Sequence, residues 1–107
     1  MVEVAAEWSL SGRIILNVGQ SQTWWFSWWM FDEARVVKFD TTPDRVLGSS
    51  SSYFAVQITE VWAERWPGAG GNVLYKVTFR NRGNEPVVFR PRIAVIPAAR
   101  WGGGLSA

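Results

Sequence analysis

The sequence predicts an all-β fold, an antiparallel β-sandwich of about seven strands, from three observations. Apolar and polar residues alternate with a period of two along most of the chain, the pattern of half-buried strands. Turns rich in glycine, proline, serine or asparagine separate these segments, and no segment has a convincing helical period. A length of 107 residues fits one domain, residues 1–107, and a small jelly-roll or barrel is the alternative.

The first half of the chain contains four strand candidates. Residues 2–8 and 12–18 alternate cleanly, and residues 22–31 follow as an aromatic strand. Residues 34–40 form a shorter strand that we expect to end at the turn signal Thr-Thr-Pro-Asp, residues 41–44. The positions expected to face the core in the first two strands are Val2, Val4, Ala6, Trp8, Ile14, Leu16 and Val18.

The second half opens with a polar break, residues 47–52, which we expect to be a mobile loop. A long strand follows over residues 53–66, and its alternation loses phase near Glu60, which indicates a β-bulge. Residues 67–72, with one proline and three glycines, form a loop. The last two strands are the clearest, and their core-facing positions are Val73, Tyr75, Val77, Phe79, Val87, Phe89, Pro91, Ile93 and Val95.

The last two strands are expected to form a hairpin through a three-residue loop, residues 83–85. This register places Phe79 opposite Phe89 and keeps the apolar faces together, whereas a two-residue loop would set core faces against solvent faces. Because Pro91 cannot donate a backbone hydrogen bond, we expect the final strand to lie at the edge of its sheet.

A resemblance accompanies this segment. Asn81, Gly83, Asn84 and Pro86, placed between two alternating strands, resemble the penultimate hairpin of bacterial immunoglobulin-like sandwich domains of the CARDB type. The resemblance covers about a fifth of the chain and implies an adhesion or accessory module. Arg80, Arg90, Arg92 and the tryptophan-rich strand are not part of that family's pattern.

Residues 22–31, QTWWFSWWMF, hold four tryptophans, two phenylalanines and one methionine. Since a strand presents alternate side chains to opposite faces, the core accounts for only one of the two aromatic sets. The second set is either covered too, in a strand buried on both faces, or exposed as a partner surface or a ligand platform. The candidate contact residues are Trp24, Trp25, Trp28, Trp29, Trp62 and Trp66.

Charge is divided unevenly along the chain. Residues 1–64 hold four basic and eight acidic groups, a balance of −4, and residues 65–107 hold seven basic groups and one acid, a balance of +6. The hairpin register would gather Lys76, Arg80, Arg90 and Arg92 on one outward face. Such a face is either a solvated surface that resists edge pairing or a contact for an anionic partner, for which arginine provides bidentate geometry.

The chain has no cysteine and no histidine. This composition excludes disulfides, thiolate chemistry, Ser-His-Asp triads and histidine-based zinc sites, and we expect no metal and no cofactor. A carboxylate pair for glycoside chemistry is the remaining catalytic option, but nothing fixes the separation of its candidate acids. Those acids are Asp32, Asp40, Asp44, Glu60 and Glu64.

Residues 1–10 do not read as a signal peptide, because acids stand where a basic start is needed, and no apolar run is long enough to span a membrane. We therefore expect a soluble chain, cytoplasmic or released and particle-associated, with its compartment undetermined.

The function favoured by the sequence is a non-catalytic interaction module that self-associates or packs into a larger complex through the Trp-rich strand. The alternative is a carbohydrate-binding, lectin-like module with exposed tryptophan platforms. The expected partners are further copies of the same chain, in a homo-oligomer, or a carbohydrate or other anionic ligand; nucleic acid is not expected.

Overall fold

The structure is a computed structural model that describes residues 6–9, 13–27, 34–44 and 48–97. These residues form two antiparallel sheets that pack against each other, which confirms the predicted β-sandwich. A short 3-10 helix, Pro67–Ala69, links the fifth and sixth strands. The strands are β1 (Ala6–Ser9), β2 (Ile14–Leu16), β3 (Ser21–Ser27), β4 (Ala34–Pro43), β5 (Val56–Arg65), β6 (Val73–Asn81) and β7 (Val87–Pro97).

Sheet A is built around β7. Strand β4 pairs along one side of β7, and β1 and β2 lie end to end along the other side. Ile93 of β7 therefore has two cross-strand neighbours, Trp8 of β1 and Phe39 of β4. Sheet B has the order β3-β6-β5, with β6 in the centre.

The core lies between the two sheets and follows the predicted alternation. The inward positions of β6 and β7 are buried or half-buried from Val73 to Phe79 and from Val87 to Val95. Phe79 of sheet B contacts Phe89 of sheet A, with ring centroids 5.1 Å apart. The buried cluster consists of Ile14, Leu16, Phe39, Val77, Phe79, Val87, Phe89, Ile93 and Val95.

The predicted hairpin between β6 and β7 is wrong, because the two strands belong to different sheets. Phe79 and Phe89 meet across the core and not as cross-strand neighbours. The connection between the sheets is held by buried Asn81, whose side chain donates to the carbonyl oxygens of Leu16 (3.1 Å) and Glu85 (2.8 Å) and accepts from the Gly83 N–H (2.8 Å). These bonds satisfy the polar groups of a buried amide.

Glycine is required at position 83 by a close backbone approach. A Cβ atom there would overlap the Tyr53 carbonyl oxygen and lie 2.9 Å from the Ala55 nitrogen. Asn84 fixes the same crossing from the other side, since its side chain accepts from the Tyr53 N–H (2.7 Å) and donates to the Ser51 carbonyl (2.9 Å). The Asn-x-Gly-Asn pattern thus serves a crossing between sheets.

The expectation that Pro91 marks an edge strand is also wrong, because β7 is the central strand of sheet A. The Asp44 N–H donates to the Val88 carbonyl, so even-numbered residues of β7 bond towards β4 and odd-numbered residues towards β1 and β2. On that second side the described pairs end at Arg92 with β1 and begin at Phe89 with β2. Pro91 therefore lies between the described ends of β1 and β2, and its missing N–H leaves the pairing with β4 intact.

Two smaller expectations differ from the structure, and a third is only partly covered by the described residues. Strand β4 continues through the anticipated turn and ends at Pro43, which pairs with Phe89. Val18 leaves the core face, since it lies in a turn closed by a hydrogen bond from the Gln20 N–H to the Asn17 carbonyl (2.9 Å). The aromatic strand is described only to Ser27; the predicted strand positions 28–31, like Val2 and Val4, lie outside the described residues.

Candidate binding face

The bulge in β5 decides which side chains the strand turns outward. Ile58 pairs with Phe79 on the inner face, but Glu60 pairs with the next β6 residue, Thr78, on the outer face. Thr59 is the extra residue, so the bulge predicted near Glu60 is confirmed. Beyond it the alternation is shifted by one position, and Trp62 and Glu64 point away from the core.

Strand β3 divides its aromatic residues between the two faces. Phe26 lies on the inner face and stacks on Phe39 of sheet A, with ring centroids 5.4 Å apart. Trp24 is on the same side, opposite buried Val77, but β3 is an edge strand and 39% of Trp24 stays exposed. Trp25 points to the outer face and is 66% exposed. The inner face of β3 therefore carries the even-numbered residues, of which Phe26 packs against the core, and Trp25 lies on the outer face.

A row of three side chains crosses the outer face of sheet B. Lys76 of β6 has Trp25 of β3 as its neighbour on one side and Trp62 of β5 on the other. Directly opposite residues of antiparallel strands share a face of the sheet, so the lysine lies between two indoles. Trp66 follows at the end of β5 and is 61% exposed. We call Trp25, Trp62, Glu64, Trp66 and Lys76 the tryptophan face.

Glu64 fixes the polar edges of two of these tryptophans. The Trp62 Nε1–H donates to Oε2 at 2.6 Å and the Trp66 Nε1–H donates to Oε1 at 2.8 Å. Lys76 Nζ lies 3.3 Å from the same Oε1. The hydrogen bonds from Trp62 and Trp66, with a smaller contribution from Lys76, lower the pKa of Glu64 below its ordinary 4.5. The carboxylate is thus held in its charged form by three donors.

This arrangement gives the tryptophan face a definite chemistry. A buried or bound indole needs a partner for its N–H, and in Trp62 and Trp66 that partner is already supplied within the chain. What remains free on each ring is apolar surface. The face therefore offers orientated aromatic area to a partner, with few polar groups left to desolvate.

The structure does not bring the four predicted basic residues to one surface. Lys76 and Arg80 lie on the outer face of sheet B, whereas Arg90 and Arg92 lie on the outer face of sheet A, on the opposite side of the sandwich. Lys76 pairs with Trp25 and Trp62 and not with Arg92. The expectation of a single basic face was wrong because it depended on the β6–β7 hairpin.

The other predicted site residues are dispersed. Trp28, Trp29 and Asp32 lie outside the described residues. Asp44 forms an ion pair with Arg13 at 3.1 Å, and Asp40 lies opposite Arg92 on the far side of the molecule from Glu60 and Glu64.

Sequence reasoning named Trp62, Trp66 and Lys76 but missed how they are joined. Glu64 was considered only as one of several loose carboxylates, although it stands two residues from each tryptophan, in the pattern Trp-Ala-Glu-Arg-Trp. On a strand, that spacing places all three on one face. With the bulge at Thr59 taken into account, this pattern predicts that Glu64 lies between the two tryptophans on the outer face.

A second polar pair on the same face was not anticipated. The hydroxyl groups of Thr23 and Thr78 lie 2.8 Å apart across β3 and β6, in the row next to Trp25 and Lys76. This bond ties the edge strand to the centre of sheet B beside the tryptophan face.

Comparisons with protein-family models, with curated proteins and with solved structures find no match for this chain. The resemblance of the Asn81–Pro86 segment to immunoglobulin-like modules therefore stays a prediction. Among the described residues, no helix is long and apolar enough to cross a membrane.

Proposed function

We propose that this chain is a non-catalytic interaction module that self-associates or packs into a larger complex through its tryptophan-rich strand, with the tryptophan face as the contact surface. The observation that carries the proposal is Trp25, which is 66% exposed beside Lys76 and in one row with Trp62. Tryptophan is enriched among the residues that dominate interface energies, and clustered exposed aromatic surface is typical of contact sites.

The fixed orientation of the rings supports this proposal. A side chain that is ordered before association loses less conformational entropy when it binds. Trp62 and Trp66 are both tied to Glu64, and these residues belong to a strand and its end rather than to a long loop. Association through these rings therefore requires no reorganisation of the sheet.

Light scattering over a range of protein concentrations tests the proposal. We expect a mass above the 12.1 kDa of one chain at micromolar concentration. Trp25→Ala should weaken association by roughly tenfold or more, as expected for an interface tryptophan. The matched control is Ile15→Ala, since Ile15 is 63% exposed on the outer face of sheet A. A concentration-independent 12.1 kDa mass, or equal effects of both substitutions, would reject self-association through this face.

The second candidate is a carbohydrate-binding, lectin-like module, favoured by the bonds that tie the Trp62 and Trp66 N–H groups to Glu64. Exposed indole faces stack on the C–H faces of sugar rings. Lys76 and Arg80, on the same side of sheet B, would contact acidic substituents.

Calorimetric titration with a soluble neutral xylan and with polygalacturonate tests this candidate. Trp66→Ala should abolish binding to either polymer, whereas Tyr53→Ala, which removes an aromatic ring of 60% exposure at the other end of sheet B, should not. Binding to polygalacturonate alone, lost on Arg80→Gln, would indicate an anionic glycan. If neither polymer gives a heat of binding, the tryptophan face is not a binding site for these sugars.

A further inference from the structure

Strand β3 forms an edge of sheet B, and no described strand pairs with its outer side. The Gln20 carbonyl accepts a hydrogen bond from the Asn81 N–H at 3.0 Å, so the even-numbered residues of this strand bond towards β6. The odd-numbered residues then direct their N–H and C=O groups to the free side. We call this side the open edge; its residues are Ser21, Thr23, Trp25 and Ser27.

The open edge lacks the features that normally prevent strands from pairing between molecules. Ser21–Ser27 contains no charged residue, no proline and no glycine, and its seven-residue register with β6 has no bulge. Charged side chains, prolines, bulges and short length are the usual protections of an edge.

The other edges of the described sandwich carry such protections. Strand β5 has the bulge at Thr59 and three charged residues. Strand β4 has three charged residues, a proline at its end and a register shift between Ala34 and Val36. The edge opposite β4 is divided between β1 and β2, which are four and three residues long. The contrast singles out β3 as the edge suited to pairing.

We propose that two copies of this chain associate by antiparallel pairing of their β3 strands about a two-fold axis at Trp24. This inference rests on the proposed function and names its partner as a second copy. In this register Ser21 lies opposite the partner's Ser27, and Thr23 lies opposite the partner's Trp25. Each of the four open-edge residues then exchanges hydrogen bonds with an open-edge residue of the partner, which no other two-fold register of residues 21–27 achieves.

The pairing would join both copies of sheet B into one continuous six-stranded sheet. Trp25 would pack over the partner's Thr23 and lie diagonal to the partner's Trp25, a spacing that aromatic side chains bridge. The two tryptophan faces would thereby form one surface. Because a two-fold contact uses the same edge twice and the remaining edges are protected, assembly stops at the dimer.

A charge test addresses the register directly, because Ser21 and Ser27 are exposed and face outward from sheet B. The double variant Ser21→Glu/Ser27→Glu places like charges opposite each other twice per dimer. We expect its dissociation constant to rise roughly two- to thirtyfold above that of the wild type. The matched variant Ser21→Glu/Ser27→Lys places opposite charges at the same two sites, and its dimer should be at least as tight as the wild type.

A proline test gives an independent result. Thr23→Pro removes an N–H that points to the open edge, so β3 keeps its bonds to β6 while the dimer should weaken by roughly tenfold or more. Thr23→Val is the control for the lost hydroxyl bond to Thr78. Ala63→Pro is the control for an edge proline, since Ala63 directs its N–H to the free side of β5.

Sedimentation velocity on these variants separates the possible outcomes. A monomer at all concentrations, or equal dissociation constants for the two charge variants, overturns the edge pairing. If Trp25→Ala weakens association while both charge variants and Thr23→Pro match the wild type, the copies contact face to face; the proposed function then stands and the edge pairing fails. If Ala63→Pro is the disruptive change, the contact lies on β5.

Discussion

The outer faces of sheets A and B lie on opposite sides of one sandwich, yet they carry different side chains. On sheet B the tryptophan face sets two indoles beside one lysine and ties two indoles to one carboxylate. On sheet A the outward positions of β4 and β7 mix charged and polar side chains with small or aliphatic ones and contain no aromatic residue, and Asp40 lies opposite Arg92. We call Lys38, Asp40, Thr42, Arg90 and Arg92 the arginine face.

The difference shows that exposure alone does not mark a functional surface. The side chains of the arginine face are exposed, and Asp40 has the opposite charge of its cross-strand neighbour Arg92; solvated polar residues of this kind are common on a sheet that faces water. The tryptophan face exposes side chains whose burial would be strongly favourable and orders them in advance. A contact surface is therefore expected on sheet B and a solvated surface on sheet A.

The largest effect should come from the core beneath the two faces. Phe79 and Phe89 support sheet B and sheet A respectively and contact each other. Phe79→Ala and Phe89→Ala should each lower the free energy of unfolding by about 3–5 kcal/mol, measured by urea denaturation. Similar losses for the two variants would show that the core stabilises both sheets equally and that their outer faces differ only in surface chemistry. A loss below about 1 kcal/mol at either site would contradict this conclusion.

Removing the buried link between the sheets should cost somewhat less. Asn81→Ala deletes the donors to Leu16 and Glu85 and the acceptor for Gly83, so we expect a loss of about 2–4 kcal/mol in the same assay. Asn72→Ala, at an exposed loop position, is the control and should change stability by less than about 0.5 kcal/mol. Equal stability of the two variants would mean that the crossing is held by other contacts.

Low pH should weaken the hydrogen bonds that fix the tryptophan face before the protein unfolds. The folded-state pKa of Glu64 is lowered, so its contribution is complete above 4.5 and is lost as the pH falls through the lower folded pKa. Tryptophan emission should therefore change below pH 4.5 as the indole N–H groups lose a charged acceptor. Glu64→Gln should abolish this step and Glu60→Gln, on the same face, should retain it; a step that survives Glu64→Gln would assign it to another group.

The smallest effect should come from the arginine face. Arg90→Gln and Arg92→Gln are expected to change the free energy of unfolding by less than about 0.5 kcal/mol each. They should leave the solution mass and its dependence on salt unchanged. A marked loss of association in either variant would show that the contact surface lies on sheet A and that the tryptophan face is the solvated one.

The face assignments could be predicted from the sequence, but the strand neighbours could not. The alternation of apolar and polar residues predicts on which side of a strand each side chain lies. It correctly placed four residues in the core: Val77, Phe79, Phe89 and Val95. The same pattern fits a hairpin within one sheet and a crossing between two sheets equally well. The contacts of Asn81 with β2 and of Gly83 with the loop before β5 distinguish the crossing from the hairpin. These partners are far away in the sequence, so the local pattern does not reveal them.

The candidate site could be predicted in part for the same reason. Trp25, Trp62 and Trp66 were identified from composition, because aromatic surplus is visible in the sequence. Their common location depends on β6 lying between β3 and β5 and on the bulge at Thr59. The role of Glu64 follows from that geometry, since its lysine partner comes from a neighbouring strand.

The most direct measurement is a concentration series of ¹H–¹⁵N spectra of the wild-type chain, which reports both faces in one experiment. We expect the Trp25 indole N–H and the backbone amides of Ser21, Thr23 and Ser27 to shift and gain protection from exchange as concentration rises, while those of Ile15, Arg90 and Arg92 remain unchanged. Spectra that do not change from micromolar to millimolar concentration, or shifts confined to the arginine face, would contradict the assignment of the contact surface to the tryptophan face.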